Sequence, residues 1–154
     1  MNRRDFSALL AMTLAVPALE PVAEAQAATS TTAAPHTLSK LTSGEYLQGA
    51  ASGKQPSLRT MHPFLTGMLP DNIRLESHFT ALAPGAPPEP VHHHAHTEMW
   101  FVHQGAVTLM TAGVTRTLKA GEMGLCIAGD DHSITNASAS EPASYFVVSV
   151  GPPE

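Results

Sequence analysis

Apolar and polar residues alternate with a period of two over Ile73, Leu75, Ser77 and Phe79, set against Arg74, Glu76, His78 and Thr80. Successive side chains on a strand point to opposite faces, so this stretch predicts a β-strand. The proline-dense segment Pro84 to Pro90 ends it. Met99-Trp100-Phe101-Val102 is an unbroken apolar run, the pattern of a strand buried on both faces. Ala106 to Thr111 and Val114 to Leu118 flank Ala112-Gly113, which predicts a hairpin. Leu125-Cys126-Ile127 and Tyr145 to Val150 supply further strands. From Ser57 onward there is no amphipathic helix of ordinary length and no long internal repeat. Short strands between turn signals predict an all-β antiparallel barrel or jelly roll. Ala28 to Pro56 is rich in Thr, Ala, Ser and Gly and is expected to be a flexible arm, with a short helical turn around Leu38 to Leu47.

The first residues read as an address. Met1-Asn2-Arg3-Arg4-Asp5-Phe6 is followed by an apolar stretch from Ala8 to Leu19 and by Ala25-Gln26-Ala27. A positive end, an apolar middle and a small-residue cleavage site make an export signal over residues 1–27, here with the Arg-Arg-x-Phe core of the twin-arginine type. The apolar run falls short of the roughly 20 residues a bilayer requires, so no stable membrane anchor is expected. The expected location is the periplasm or the outside of the cell. Cleavage after Ala27 leaves 127 of the 154 residues, the length of one domain. It also removes two positive and three negative charges, taking the formal net charge from −5 to −4. A mildly acidic domain without a Lys/Arg cluster argues against nucleic-acid partners. Cys126 is the only cysteine, so no internal disulfide forms.

The candidate chemistry lies in two glycine-flanked blocks. The first runs from Gly85 through His92-His93-His94-Ala95-His96-Thr97-Glu98 to Gly105, and the second from Gly121 through Ile127-Ala128-Gly129-Asp130-Asp131-His132 to Asn136. Five of the nine histidines fall between positions 92 and 103. Imidazole and carboxylate together suit first-row divalent metals. On an extended segment His92 and His94 share a face, about 6.5–7 Å apart at Cβ, and can converge on one ion. Glu98 then opens the neighbouring strand, and His132 brings a third imidazole from a remote turn.

These blocks resemble the two signature motifs of the cupin superfamily. His92-x-His94, three residues, Glu98, six residues and Gly105 follow the first motif, with a spacer from Gly85 one residue longer than usual. Gly121, Gly129, His132 and Asn136 follow the second, with Ile127 where the family usually has proline. The resemblance covers about positions 57 to 150. It implies a cupin-type antiparallel jelly-roll β-barrel over residues 57–154, a metal held by His92, His94, Glu98 and His132, and a homodimer paired near Ser57 to Leu65.

Around those ligands, Trp100 and Val102 share the face of Glu98 and are expected to line the cavity. Asn136 is expected to close a turn beside it. His96 is expected on the turn, exposed or behind the ligands, or as the partner of His94 if the register shifts. His62, His78 and His103 read as surface or core histidines, Cys126 as a small buried hydrophobe, and Met61, Met68, Met99, Met110 and Met123 as core fillers. The ligand set accepts Mn, Fe, Co, Ni, Cu or Zn. A protein that folds before export acquires its metal in the cytoplasm, where free Cu and Zn are scarce, so Mn or Fe is favoured. Three functions remain open: a metal-dependent oxidoreductase (dioxygenase-like or small-acid oxidising) acting on a small oxygen-bearing molecule, a metal-assisted lyase or isomerase, and a non-catalytic module that binds a small ligand. Glu89 and His96 are the nearest candidates for a separate acid or base.

Overall fold

The computed structural model describes residues 38–55 and 57–153, and the expected export signal at 1–27 lies outside them. Eight strands follow in order: β1 Arg59–Leu69, β2 Ile73–Leu82, β3 Thr97–Gln104, β4 Ala106–Thr111, β5 Val114–Lys119, β6 Met123–Cys126, β7 His132–Asn136 and β8 Ala143–Gly151. Pro70–Asn72 forms a single 3-10 turn between β1 and β2. Strands pair antiparallel into a five-stranded sheet, order β1-β2-β8-β3-β6, and a three-stranded sheet, order β5-β4-β7. This is the all-β, cupin-type jelly-roll barrel expected from the sequence.

Local chemistry explains the tight connections. The β4–β5 hairpin turns on Ala112 and Gly113, both at positive φ (48° and 75°), the type I′ geometry that matches strand twist. Gly105 also sits at positive φ (69°), and a Cβ there would lie 2.4 Å from the Pro142 carbonyl oxygen. No side chain fits, which accounts for the glycine that closes the first motif. The core between the sheets joins Trp100, Val102, Tyr145 and Val147 of the larger sheet to Val107, Leu109 and Ile134 of the smaller.

The structure departs from the sequence reading in three places. Met99 to Val102 is not buried on both faces: Trp100 and Val102 point inward, while Phe101 is 42% exposed. Met123 and Ile127 are likewise exposed, Ile127 lying beyond the end of β6. Residues 38–55 hold no helix; Leu41 N–H donates to Met68 O (2.8 Å), Gly49 N–H to Pro63 O (2.7 Å) and Ser52 N–H to Met61 O (2.8 Å), so this stretch lies extended along the edge of β1. An edge strand with unpaired amides recruits a partner, and here the chain supplies its own.

Alternation on β2 holds, but its polarity is inverted. Across the larger sheet, Glu76 pairs with Ser149 and Ser149 with Glu98; His78 pairs with Val147 and Val147 with Trp100. Arg74, Glu76, His78 and Thr80 therefore share the inner face with Glu98 and Trp100. Phe79 faces outward, in edge-on contact with Phe146 at 5.0 Å, and Phe64 stacks on Phe146 at 5.7 Å.

Candidate metal centre

His92 and His132 meet through their backbones. His92 N–H donates to His132 O (3.1 Å) and His132 N–H to His92 O (2.8 Å), an isolated antiparallel bridge between remote segments. Gly129 N–H donates to His94 O (2.8 Å), tying the turn before His132 to the same segment. The rings follow: His92 lies 4.7 Å from His94 at 83° and 4.4 Å from His132 at 52°. One ring nitrogen from each of His92, His94 and His132 lies within 4.8 Å of the others. Rings inclined like this can aim their in-plane lone pairs at one point.

Glu98 adjoins the three rings from β3, and its donor atom falls within 4.8 Å of those of His94 and His96. Its Oε2 lies 3.0 Å from His132 Nε2, and its Oε1 accepts a hydrogen bond from Ser149 Oγ (2.9 Å). Backbone acceptors orient two of the rings. His92 Nδ1 is 2.8 Å from Pro90 O and His132 Nδ1 is 3.4 Å from Asp130 O; a carbonyl only accepts, so these contacts suit the tautomers with hydrogen on Nδ1, which leave Nε2 as the ligand atom. His132 is 2% exposed, and its Nε2 makes no hydrogen bond despite facing a carboxylate oxygen. A buried lone pair set against a carboxylate is costly unless a cation lies between them. The residues fit a divalent metal on that ground.

His96 is where the sequence left two readings. It is 7% exposed, not on an open turn, and its Nε2 lies 3.4 Å from Glu98 Oε1. Donor atoms of His94, His96 and Glu98 also fall within 4.8 Å of one another. Yet the His94 and His96 rings stack at 4.3 Å, only 13° from parallel. Near-parallel rings stacked face to face aim their in-plane lone pairs side by side, which suits a shared ion less well than the inclined rings of His92, His94 and His132. His93 turns away, as expected, to Asp131 Oδ1 at 3.2 Å.

The cluster opens on a cavity of about 340 Å³. Trp100 lines it, as anticipated, and so does Glu89. Val102 does not; it packs in the core. Asn136 does not either: its Nδ2 donates to Ala83 O (3.1 Å) and Glu141 O (2.8 Å), latching the loop before β8. The sequence reading missed Arg59, Arg74, Glu76, His78, Tyr145 and Ser149, which also line the cavity. The alternation on β2 was the available signal; it marked two faces without saying which turns inward. Arg74 pairs with Glu76, and His78 Nδ1 lies 3.7 Å from Glu76 Oε1. The nearby His78 imidazole, reinforced by Arg74, holds the Glu76 carboxyl below its ordinary range against the opposing effect of burial. Arg59 donates to Tyr145 OH (3.0 Å) and Ile134 O (3.1 Å), with Glu89 at 3.7 Å. Burial raises the Tyr145 phenol far above its usual value, so it stays neutral. Cys126 is buried, and its thiol is pushed up chiefly by burial and then by Asp130, which makes it the hydrophobe the sequence predicted and not a nucleophile.

Comparison with known proteins supports a small cupin. Residues 78–149 match the profile of the cupin domain. No protein of curated function matches the chain. Among solved structures, KdgF from a Halomonas species is 20% identical with a TM-score of 0.57, covering 73% of this chain and 96% of its own. An RmlC-like cupin from Shewanella frigidimarina is 18% identical with a TM-score of 0.54, covering 77% and 96%. TT1209 from Thermus thermophilus is 24% identical with a TM-score of 0.53, covering 66% and 91%. At these identities the likeness speaks for the fold.

Proposed function

We propose that this chain is an exported, metal-binding cupin that acts as an oxidoreductase on a small oxygen-bearing molecule. The observation that carries the reading is the convergence of His92, His94 and His132, with Glu98 at 3.0 Å from His132, beside a cavity that holds further titratable groups. These four residues would hold a divalent transition metal, Mn or Fe by the export argument, with Zn, Ni and Cu also compatible with the donors. Such an ion polarises a bound oxygen and, when redox-active, carries the electron transfer. The chain's own residues supply the rest. Trp100 gives the cavity an apolar wall, and Arg59, fixed by Tyr145 and Ile134, presents positive charge toward it. Glu89 is the carboxylate able to accept a proton from a substrate hydroxyl.

A purely ligand-holding module needs no proton acceptor near its ion, whereas Glu76, His78 and Glu89 all line this cavity. Their presence favours turnover. The test is elemental analysis of the purified chain beside a His92→Ala/His132→Ala variant, followed by oxygen uptake with small hydroxy and keto acids. Uptake that disappears in the variant supports the oxidoreductase. Substrate loss without oxygen uptake would move the assignment to a lyase or isomerase, and absence of metal in the wild type would end the reading. Stoichiometric copper in protein taken from its host's periplasm would overturn the choice of Mn or Fe.

A homodimer is part of the proposal, through a face and not an exchanged edge. The edge of β1 near Met61 and Pro63 is already bonded to residues 49–52 of its own chain. The outer face of the larger sheet instead exposes Ile73, Phe101, Met123 and Leu125 beside the Phe64, Phe79 and Phe146 cluster. Apolar surface exposed in this way marks an interaction site. Sedimentation should show a dimer at micromolar concentration and a monomer for Phe101→Asp; a monomeric wild type would refute it.

A further inference from the structure

We infer that His96 and Ser149 form a clamp on Glu98 that holds its carboxylate to the metal by one oxygen, and so keeps coordination positions free for a small ligand. The inference rests on the metal-site reading above and concerns two residues outside the ligand set.

The two oxygens of Glu98 are treated differently. Oε2 faces His132 Nε2 at 3.0 Å, on the side of the three converging imidazoles. Oε1 is turned the other way, where it accepts from Ser149 Oγ at 2.9 Å and faces His96 Nε2 at 3.4 Å. Ser149 is 3% exposed, so water does not compete for that oxygen, and hydrogen bonds to a charged acceptor are the strong ones. His96 is itself braced. Its ring lies on the His94 ring, and its backbone abuts the end of β8, where a Cβ on Gly151 would come within 2.6 Å of His96 Cα. Ser149 and Gly151 are two residues apart on one strand, so the same segment donates to Glu98 and backs the second donor.

A carboxylate with both oxygens free can take two positions on a cation. Three imidazoles and one oxygen fill four of about six positions around a Mn- or Fe-type ion. A second oxygen from Glu98 would leave one. Pulling Oε1 away would preserve two positions, the number a chelating hydroxy acid, keto acid or diacid needs. His96 is thus a positioning residue, which accounts for a buried imidazole beside the ligands.

The probe is Mn(II) bound to the full-length chain, with water-proton relaxivity per bound ion as the measure of free positions and oxalate as the test chelator. Wild type should show high relaxivity that oxalate quenches. His96→Ala/Ser149→Ala should bind Mn(II) about 10-fold more weakly, the usual size of a lost outer partner. Its relaxivity per bound ion should fall to about half as Glu98 closes one of two positions. His96→Gln, which keeps an N–H donor, should recover most of both. Equal relaxivity and oxalate affinity in wild type and double variant would overturn the clamp while leaving the metal site intact. A wild type that binds no Mn(II) or any other divalent ion would overturn the metal reading and the clamp with it. If the double variant fails to fold by circular dichroism, Ser149→Ala alone decides by the same comparison.

Discussion

Gly151→Ala reaches the metal centre without touching a ligand. Gly151 is the last residue of β8 and does not adopt a positive φ, so alanine brings no backbone strain there. The cost is steric. The new Cβ would lie 2.6 Å from both Cα and Cβ of His96 and 3.4 Å from Ala95 O. Non-bonded carbons sit at about 3.5–4.0 Å, so roughly 1 Å must be found. Neither partner is the end of a flexible side chain, which rules out cheap relief. Overfilling a packed site of this kind costs about 1–3 kcal/mol. For a domain near this size that corresponds to a melting temperature lowered by roughly 3–12 °C. Gly151 pairs with Arg74 at the sheet's end, so two responses compete. If the end of β8 peels back, stability alone falls. If His96 yields, it moves off Glu98, and Mn(II) affinity falls with stability. Thermal melts and Mn(II) titrations of Gly151→Ala separate the two, with Gly44→Ala as control because a Cβ there meets nothing within 4 Å. A Gly151→Ala protein that melts within about 1 °C of wild type, below the smallest shift expected for overpacking, and binds Mn(II) equally would refute the reasoning.

Three further outcomes follow from the same geometry. Mn(II) at about a hundredfold excess over Kd should stabilise the wild type by about 2.7 kcal/mol and leave His132→Ala unmoved; equal shifts in both, read by calorimetry, would place the ion elsewhere. Glu76→Gln should be less stable than wild type at neutral pH. The folded Glu76 carboxyl titrates below its ordinary 4.5, so its contribution is present above that value and lost as pH falls through the folded one; urea melts at several pH values should show the gap closing in acid, and a constant gap would contradict the pairing. Cys126, buried with a raised thiol, should resist a thiol reagent at mildly alkaline pH and react at once in denaturant; rapid labelling of the native protein would contradict the burial.

What the sequence revealed depended on how far each interaction reaches along the chain. The hairpin at Ala112-Gly113 is local, and its turn chemistry names it. His92, His94 and Glu98 lie within seven residues, and motif spacing carried His132 to them although its partner strand is remote. His96 shows the limit. Nothing adjacent to it dictates burial; the contact comes from Gly151, 55 residues away, and the partner that holds Glu98 comes from Ser149. Residues 38–55 fail for a related reason. Their composition says little, and they are ordered by the edge of β1. Val102 and Asn136 have the right parity or motif position, but parity sets a face and not a distance from the cavity.

The inversion of β2 ties the fold to the chemistry. Burying Arg74, Glu76, His78 and Thr80 would be prohibitive as isolated groups, since each polar group taken from water must find a partner. Here Arg74 pairs with Glu76 and Arg59 with Tyr145, while His78 lies beside Glu76 at 3.7 Å. A wall so paired does not collapse onto itself as an apolar one would, and the space beside the imidazoles persists. The apolar half of β2 is displaced to the outside, where it joins Phe146 and Phe64. Exposed aromatic surface is tolerated when another surface covers it. The polar cavity and the apolar outer face are therefore two consequences of one alternation.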